Sequence, residues 1–158
     1  ACASSRARVA AVIRGEQHAT IEAPPAVVWE VVSDLEAYPD WHPFFASVAV
    51  RDRDADGRAR TARCTHGTPV GTLTTELEMR YADAAEAEAR RTAGDFKQMS
   101  GVFALRAEGA VTIVTHRLVV DPGLRLGLLL RGPVEEKVRN SVLNGALSGL
   151  ARAAAARA

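Results

Sequence analysis

The sequence predicts an α+β fold: one seven-stranded antiparallel sheet, wet on one face, closed by a long C-terminal helix. Three observations predict it. Between residues 46 and 120, apolar and polar residues alternate in short runs separated by turn signals. The stretch TIEAPPAVVWEVVSDLEAYPDWHPF, Thr20 to Phe44, reads as a strand end, a helix and an aromatic corner. After Gly132-Pro133, apolar residues recur at helical spacing almost to the end.

Each element has a local reason. Residues 16–23 form the first strand, which stops at Pro24-Pro25. Proline at the first helical position costs nothing, because that N–H has no intrahelical partner, so residues 24–35 follow as helix. Val28, Trp29, Val32 and Leu35 make its apolar face. Pro39 and Pro43 push their preceding residues out of the α region and turn the chain. Asp34 caps or pins the chain after the helix, Tyr38 and Trp41 pack the corner, and His42 lies exposed there. Strands follow at 46–52, 58–66, 71–81, 86–92, 98–106 and 111–120, with turns at Asp54-Ala55-Asp56-Gly57, Gly94-Asp95 and Glu108-Gly109. Residues 124–130 are a loop or short helix, rich in leucine. In the final helix Glu135 and Glu136 suit the first turn and arginines the last ones. Val134, Val138, Val142, Leu143, Leu147 and Leu150 form its stripe. Gly145 and Gly149 on this helix each cost about 1 kcal/mol against alanine. Close approach of helix to sheet, space for a ligand, or tolerated composition would account for them.

Length and composition bound the function. A chain of 158 residues makes one domain with a real core. The formal charge of +1 and the lack of a basic block disfavour nucleic acid and anionic membrane as partners. Cys2 and Cys64 make neither a disulfide framework nor a zinc motif, which fits a reducing cytoplasm. Residues 1–15, interrupted by Arg6, Arg8 and Arg14, read as an N-terminal extension rather than a secretory leader. The apolar run at 124–130 is too short for stable membrane insertion. There is no P-loop, no G-x-S-x-G and no GxGxxG, which argues against nucleotide, serine-hydrolase and dinucleotide chemistry.

Alternation also assigns an inward face. It carries Ala62, Cys64 and His66, then Leu73, Thr75, Leu77, Met79 and Tyr81, then Ala87, Ala89 and Arg91. The last strands add Met99, Gly101, Phe103 and Leu105, then Thr112, Val114, His116, Leu118 and Val120. Small residues at 62, 87 and 89 predict an enlarged pocket rather than a filled interior. Three ionisable groups fall on this face. Arg91 would hold a carboxylate, enolate or phenolate; alternatively it ends a strand and reaches water, or a bulge turns it outward. His116 would move a proton, its reference pKa of ~6.5 lying near working pH; alternatively it is a core histidine bonded to Thr75, Tyr81 or Ser148. His66 would assist, or is a loop-edge histidine beside Gly67-Thr68-Pro69. Arg91, His116 and His66 are thus the candidate catalytic residues, suited to proton abstraction beside a carbonyl. Candidate substrate contacts are Trp41 and Phe45 on a rim, and Cys64, Leu77, Met79, Tyr81, Met99 and Phe103 on strands. Asn144 and Ser148 on the last helix complete the set. No cofactor and no metal are called for.

The segments IEAPPAVVWEVVSDLEAYPDWHPF, GDFKQMSGVFAL and TIVTHRLVVDPGL, with the final helix, resemble the START-like superfamily, in particular its bacterial polyketide cyclase/dehydrase and lipid-transport branch. The resemblance covers roughly residues 16–153 and implies a helix-grip fold: a curved seven-stranded sheet wrapped around the C-terminal helix, two short helices after the first strand, and an apolar cavity between. It implies a hydrophobic small-molecule partner, handled by a cofactor-independent cyclase or dehydrase of secondary metabolism, or by a non-catalytic carrier of lipid, quinone or metabolite. The oligomeric expectation is a monomer or homodimer. The aromatase/cyclases are similar in using a cavity arginine with polar partners. Here the fourth strand offers Leu77 at that place and Arg91 comes from the next strand. A third class, a protein-interaction module, predicts a filled cavity and an exposed apolar patch at Leu124–Leu130.

Overall fold

The computed structural model describes residues 12–129 and 133–158, leaving aside the side chain of Val134. Cys2, most of the N-terminal extension and Leu130 lie outside the described residues. Seven strands form one antiparallel sheet: β1 (Ile13–Ile21), β2 (Ser47–Arg53), β3 (Ala59–Thr68), β4 (Gly71–Ala82), β5 (Glu86–Gly94), β6 (Gln98–Glu108) and β7 (Val111–Asp121). Their spatial order is β1-β7-β6-β5-β4-β3-β2. Every link from β2 onward is a hairpin between neighbours, as local turn chemistry dictates. At the first of them Asp54 accepts the N–H groups of Asp56 and Arg58, both at 2.9 Å, and Gly57 takes a positive φ of 81°.

The link from β1 to β2 is different, because these strands occupy opposite edges. The crossing is made by α1 (Pro25–Val32), a 3₁₀ turn (Leu35–Ala37) and α2 (Tyr38–Trp41). The helix expected over 24–35 is therefore shorter, and β1 begins at Ile13, inside the expected extension. After β7 come α3 (Gly123–Leu129), α4 (Pro133–Asn140), a π-helical turn (Ser141–Gly145) and α5 (Ala146–Arg157). The last three make the long C-terminal helix. Asp34 caps nothing with its side chain; it lies 3.6 Å from the Arg157 guanidinium, tying the corner to that helix.

The core lies between the sheet and the C-terminal helix. Its sheet side is the inward set read from alternation: Ala62, Cys64, His66, Leu77, Met79, Met99, Phe103, Val114, His116 and Leu118 are all buried. Gly145 and Gly149 have a definite cause. A Cβ at Gly149 would fall inside the van der Waals shell of the Trp41 carbonyl oxygen, and one at Gly145 would sit 2.8 Å from Pro43 Cγ. The two glycines thus seat the aromatic corner, not the sheet, against the helix. Gly15 of β1 does the corresponding service for Leu143 of the π turn. Among the described residues no helix is long and apolar enough to cross a membrane.

Candidate functional site

The aromatic corner folds down over the sheet. Aromatic residues are few, yet Tyr38, Trp41, Phe44, Phe45, Phe96 and Phe103 form one continuous cluster with three histidines. His42, expected to be exposed, is only 4% exposed, and His66 and His116 are as deeply buried. The corner is pinned from its own chain. The Tyr38 hydroxyl donates to the Val32 carbonyl at 2.6 Å, and burial lifts its pKa far above the usual phenol range.

Inside lies a cavity of about 30 Å³. Its walls include Tyr38, His42, Phe44 and Phe45 from the corner, and Met79, Met99, Phe103 and His116 from the sheet. Ala87, Ala89 and Gly101 line it as well, so the small residues do leave room. The expected enlarged pocket is nevertheless reduced to roughly the space of one water, because corner rings occupy what the alanines vacate.

The three histidines differ in what their nitrogens do. His66 Nδ1 lies 3.2 Å from the Phe44 carbonyl, which can only accept, so Nδ1 carries the proton. Its Nε2 then accepts from the Thr75 hydroxyl at 2.7 Å. Both nitrogens are engaged, its ring stacks on Phe44 at 4.3 Å, and it is a buried cross-link of the core on β3 rather than a loop-edge group. His42 Nδ1 accepts the Phe44 N–H at 3.2 Å, which leaves the proton of the neutral ring on Nε2.

His116 is stacked on Phe103 at 4.3 Å and 8°, with His42 edge-on at 6.3 Å. Its Nδ1 is buried without a hydrogen-bond partner among the described residues. The partners expected for it are engaged elsewhere or turned away: Thr75 bonds His66, Tyr81 donates to the Ala59 carbonyl, and Ser148 is exposed. Burial pushes the pKa of both His66 and His116 down to about 4, and holds His42 well below 6.5 with help from the other two rings. All three are neutral at pH 7.

Arg91 is not brought to this place. A one-residue bulge at Thr92 leaves Arg91 opposite Leu77, on the inward face. The side chain is half-buried, its guanidinium donates to the Gly94 carbonyl at 3.1 Å, and it is not a wall of the cavity. Strand pairing between β5 and β6 ends at Arg90, and the Arg91 Nε is buried with no hydrogen-bond partner among the described residues.

Of the expected substrate contacts, Phe45, Met79, Met99 and Phe103 line the cavity. Cys64 and Leu77 are buried in the core away from it. Trp41 packs behind the wall against Tyr38 and Phe103. Tyr81 sits at the other end of the sheet face, edge-on to Trp29. Asn144 and Ser148 are exposed, because the face of the helix carrying Val142, Leu143, Ala146 and Leu150 is the one turned to the sheet. Sequence reasoning missed His42, Tyr38 and Phe44 as cavity walls. The signal available was their density, four rings within Tyr38–Phe45 beside a histidine.

Residues 21–146 match the family described as polyketide cyclase/dehydrase and lipid transport. No curated protein matches the sequence. Solved structures do match in fold. A START superfamily protein from Mycobacterium smegmatis has 23% identity and a TM-score of 0.70, over 91% of this chain and 95% of that one. A protein from Thermus thermophilus has 23% identity and a TM-score of 0.76, over 94% of this chain and 99% of that one. The Zhui aromatase/cyclase of a Streptomyces species has 18% identity and a TM-score of 0.64, over 93% of each.

Proposed function

The chain belongs to the polyketide cyclase/dehydrase and lipid-transport family, and from that premise we propose that it binds a small, mainly apolar molecule bearing a hydroxyl or carbonyl group. The observation that carries this reading is that His116, whose buried Nδ1 has no hydrogen-bond partner among the described residues, lines a cavity walled mainly by rings, thioethers and small or aliphatic side chains. An unsatisfied buried nitrogen costs about 1–3 kcal/mol. A ligand that supplies the missing partner recovers that energy, whereas a purely apolar one does not. The cavity in its present shape holds no such ligand, so binding requires corner rings to move.

The test compares 2-naphthol with naphthalene by ligand-observed NMR. The hydroxyl is expected to improve binding about tenfold, the worth of one such hydrogen bond. His116→Phe should erase the difference while keeping the stack on Phe103. Equal binding of the two probes to the wild type would refute the reading.

The His42–His116 pair favours a second reading, cyclisation or dehydration of a polyketide-like substrate. His116 would take a proton beside a carbonyl, and His42, a donor through Nε2, would hold the oxygen that gains charge. Native mass spectrometry after incubation with a metabolite extract separates the two. Release of an unchanged compound supports binding alone; a dehydrated or isomerised product that disappears with His116→Phe supports catalysis. The interaction-module alternative has its small cavity and its exposed Leu124, Leu128 and Leu129.

A further inference from the structure

A second concavity shares one wall residue with the first. It is a groove of about 310 Å³ between the β3–β4 hairpin and the C-terminal helix, lined by Phe44, Gly67, Thr68, Pro69, Lys137, Val138 and Ser141. Phe44 is the residue common to the groove and the inner cavity. Its backbone is fixed on both sides: the N–H is held by His42 and the carbonyl by His66. Its ring is held by contact alone, stacked on His66 and tilted against Phe96 at 6.1 Å. A ring on a pinned backbone moves by rotation about its own side-chain bonds, without unfolding the corner.

The groove and the cavity differ in chemistry. The cavity presents rings, the His116 imidazole among them, and methionines. The groove adds the Lys137 ammonium, which makes no ion pair among the described residues, and the Ser141 hydroxyl one helical turn on. We propose that Phe44 is the door between the two, and that the ligand is an anionic amphiphile whose apolar ring body passes Phe44 into the cavity while its acidic end stays at Lys137 and Ser141. This rests on the interior-binding reading above and adds the path, the orientation and the charge of the ligand. The space left by Ala87, Ala89 and Gly101 becomes usable once the Phe44 ring swings toward the groove.

Two fluorescent probes with the same rings test it: 8-anilinonaphthalene-1-sulfonate, which is anionic, and N-phenyl-1-naphthylamine, which lacks the sulfonate. Stopped-flow association is followed with the wild type, Phe44→Ala, Phe44→Leu and Lys137→Met, each checked for native circular dichroism. Opening the door should speed association of both probes at least tenfold in Phe44→Ala. Phe44→Leu, which keeps most of the core volume, should show a smaller change in the same direction. Lys137→Met should weaken the sulfonate probe about two- to fivefold, the loss of one exposed charge pair, and leave the neutral probe unchanged. If the wild type binds the neutral probe but neither Phe44 variant alters its association rate, Phe44 is not the door and the proposal fails alone. Equal effects of Lys137→Met on both probes overturn the assigned orientation. If no variant and no wild-type sample binds either probe, the interior-binding reading fails with it.

Discussion

Acidification should unfold this protein through its histidines before its carboxylates titrate. Three imidazoles are buried in one aromatic cluster, and burial disfavours their charged form. In the unfolded chain each takes up a proton near pH 6.5, whereas in the fold His66 and His116 do so only near pH 4. Between these values the unfolded state binds more protons than the native one, so stability falls as pH falls and is fully present above pH 6.5. From pH 7 to pH 5 the loss is about 2 kcal/mol for each of these two histidines, or about 4 kcal/mol together. His42 adds to it in the same direction. Against a typical total of about 5–15 kcal/mol the effect is large, and it lowers Tm by about 8–16 °C. Circular dichroism melts at pH 7, 6 and 5, at constant ionic strength, measure it. His116→Phe removes one titrating group and should shrink the drop by about 4–8 °C. A Tm that is flat from pH 7 to pH 5, or a drop untouched by His116→Phe, would refute the argument: the rings would then be protonating inside the fold, in contact with water.

Three further outcomes rest on the same packing. Gly149→Ala should lower stability by about 3 kcal/mol or more despite the better helix propensity, because its methyl meets backbone, while Gly145→Ala, which meets only the Pro43 ring, should cost less; thermal melts rank the two, and the reverse order would contradict the seating of the corner. The Cys64 thiol is fully buried and its pKa is pushed up to about 12, so in a Cys2→Ser background it should react with an aromatic disulfide reagent only as fast as the protein unfolds. Rapid stoichiometric labelling of native protein would show that β3 is accessible. Arg91→Ala should leave the affinity for 2-naphthol unchanged within about twofold, since the guanidinium is turned to the Gly94 carbonyl; a tenfold loss would return Arg91 to the site.

The legible part of the fold was whatever the chain decides over a few residues. Alternation along β4, Leu73 to Tyr81, named the buried face because a strand has only two, and the same rule found His66, Met99, Phe103 and His116 inside. Turns at Asp54–Gly57 and Glu108-Gly109 fixed the hairpins, and Pro24-Pro25 fixed the start of α1. Which inward residue meets a cavity was not legible in the same way. Facing inward is a property of one strand; lining a void depends on what the opposite layer sends down. Leu77 and Cys64 share the face of Met79 and yet are packed over, while Met79 is not.

Near-neighbour chemistry was enough for the α+β class, the seven strands, the long closing helix and the inward face, since each follows from periodicity and turn residues. Three-dimensional packing settled the rest. It made the Tyr38–Phe45 corner fill the pocket the alanines leave, gave Gly145 and Gly149 that corner to receive, and left His66 satisfied while His116 is not. Those outcomes depend on contacts between segments tens of residues apart. They are set by shape, by the direction of single side chains, and by which of several polar groups reaches a given nitrogen first, and none of these has a period along the chain.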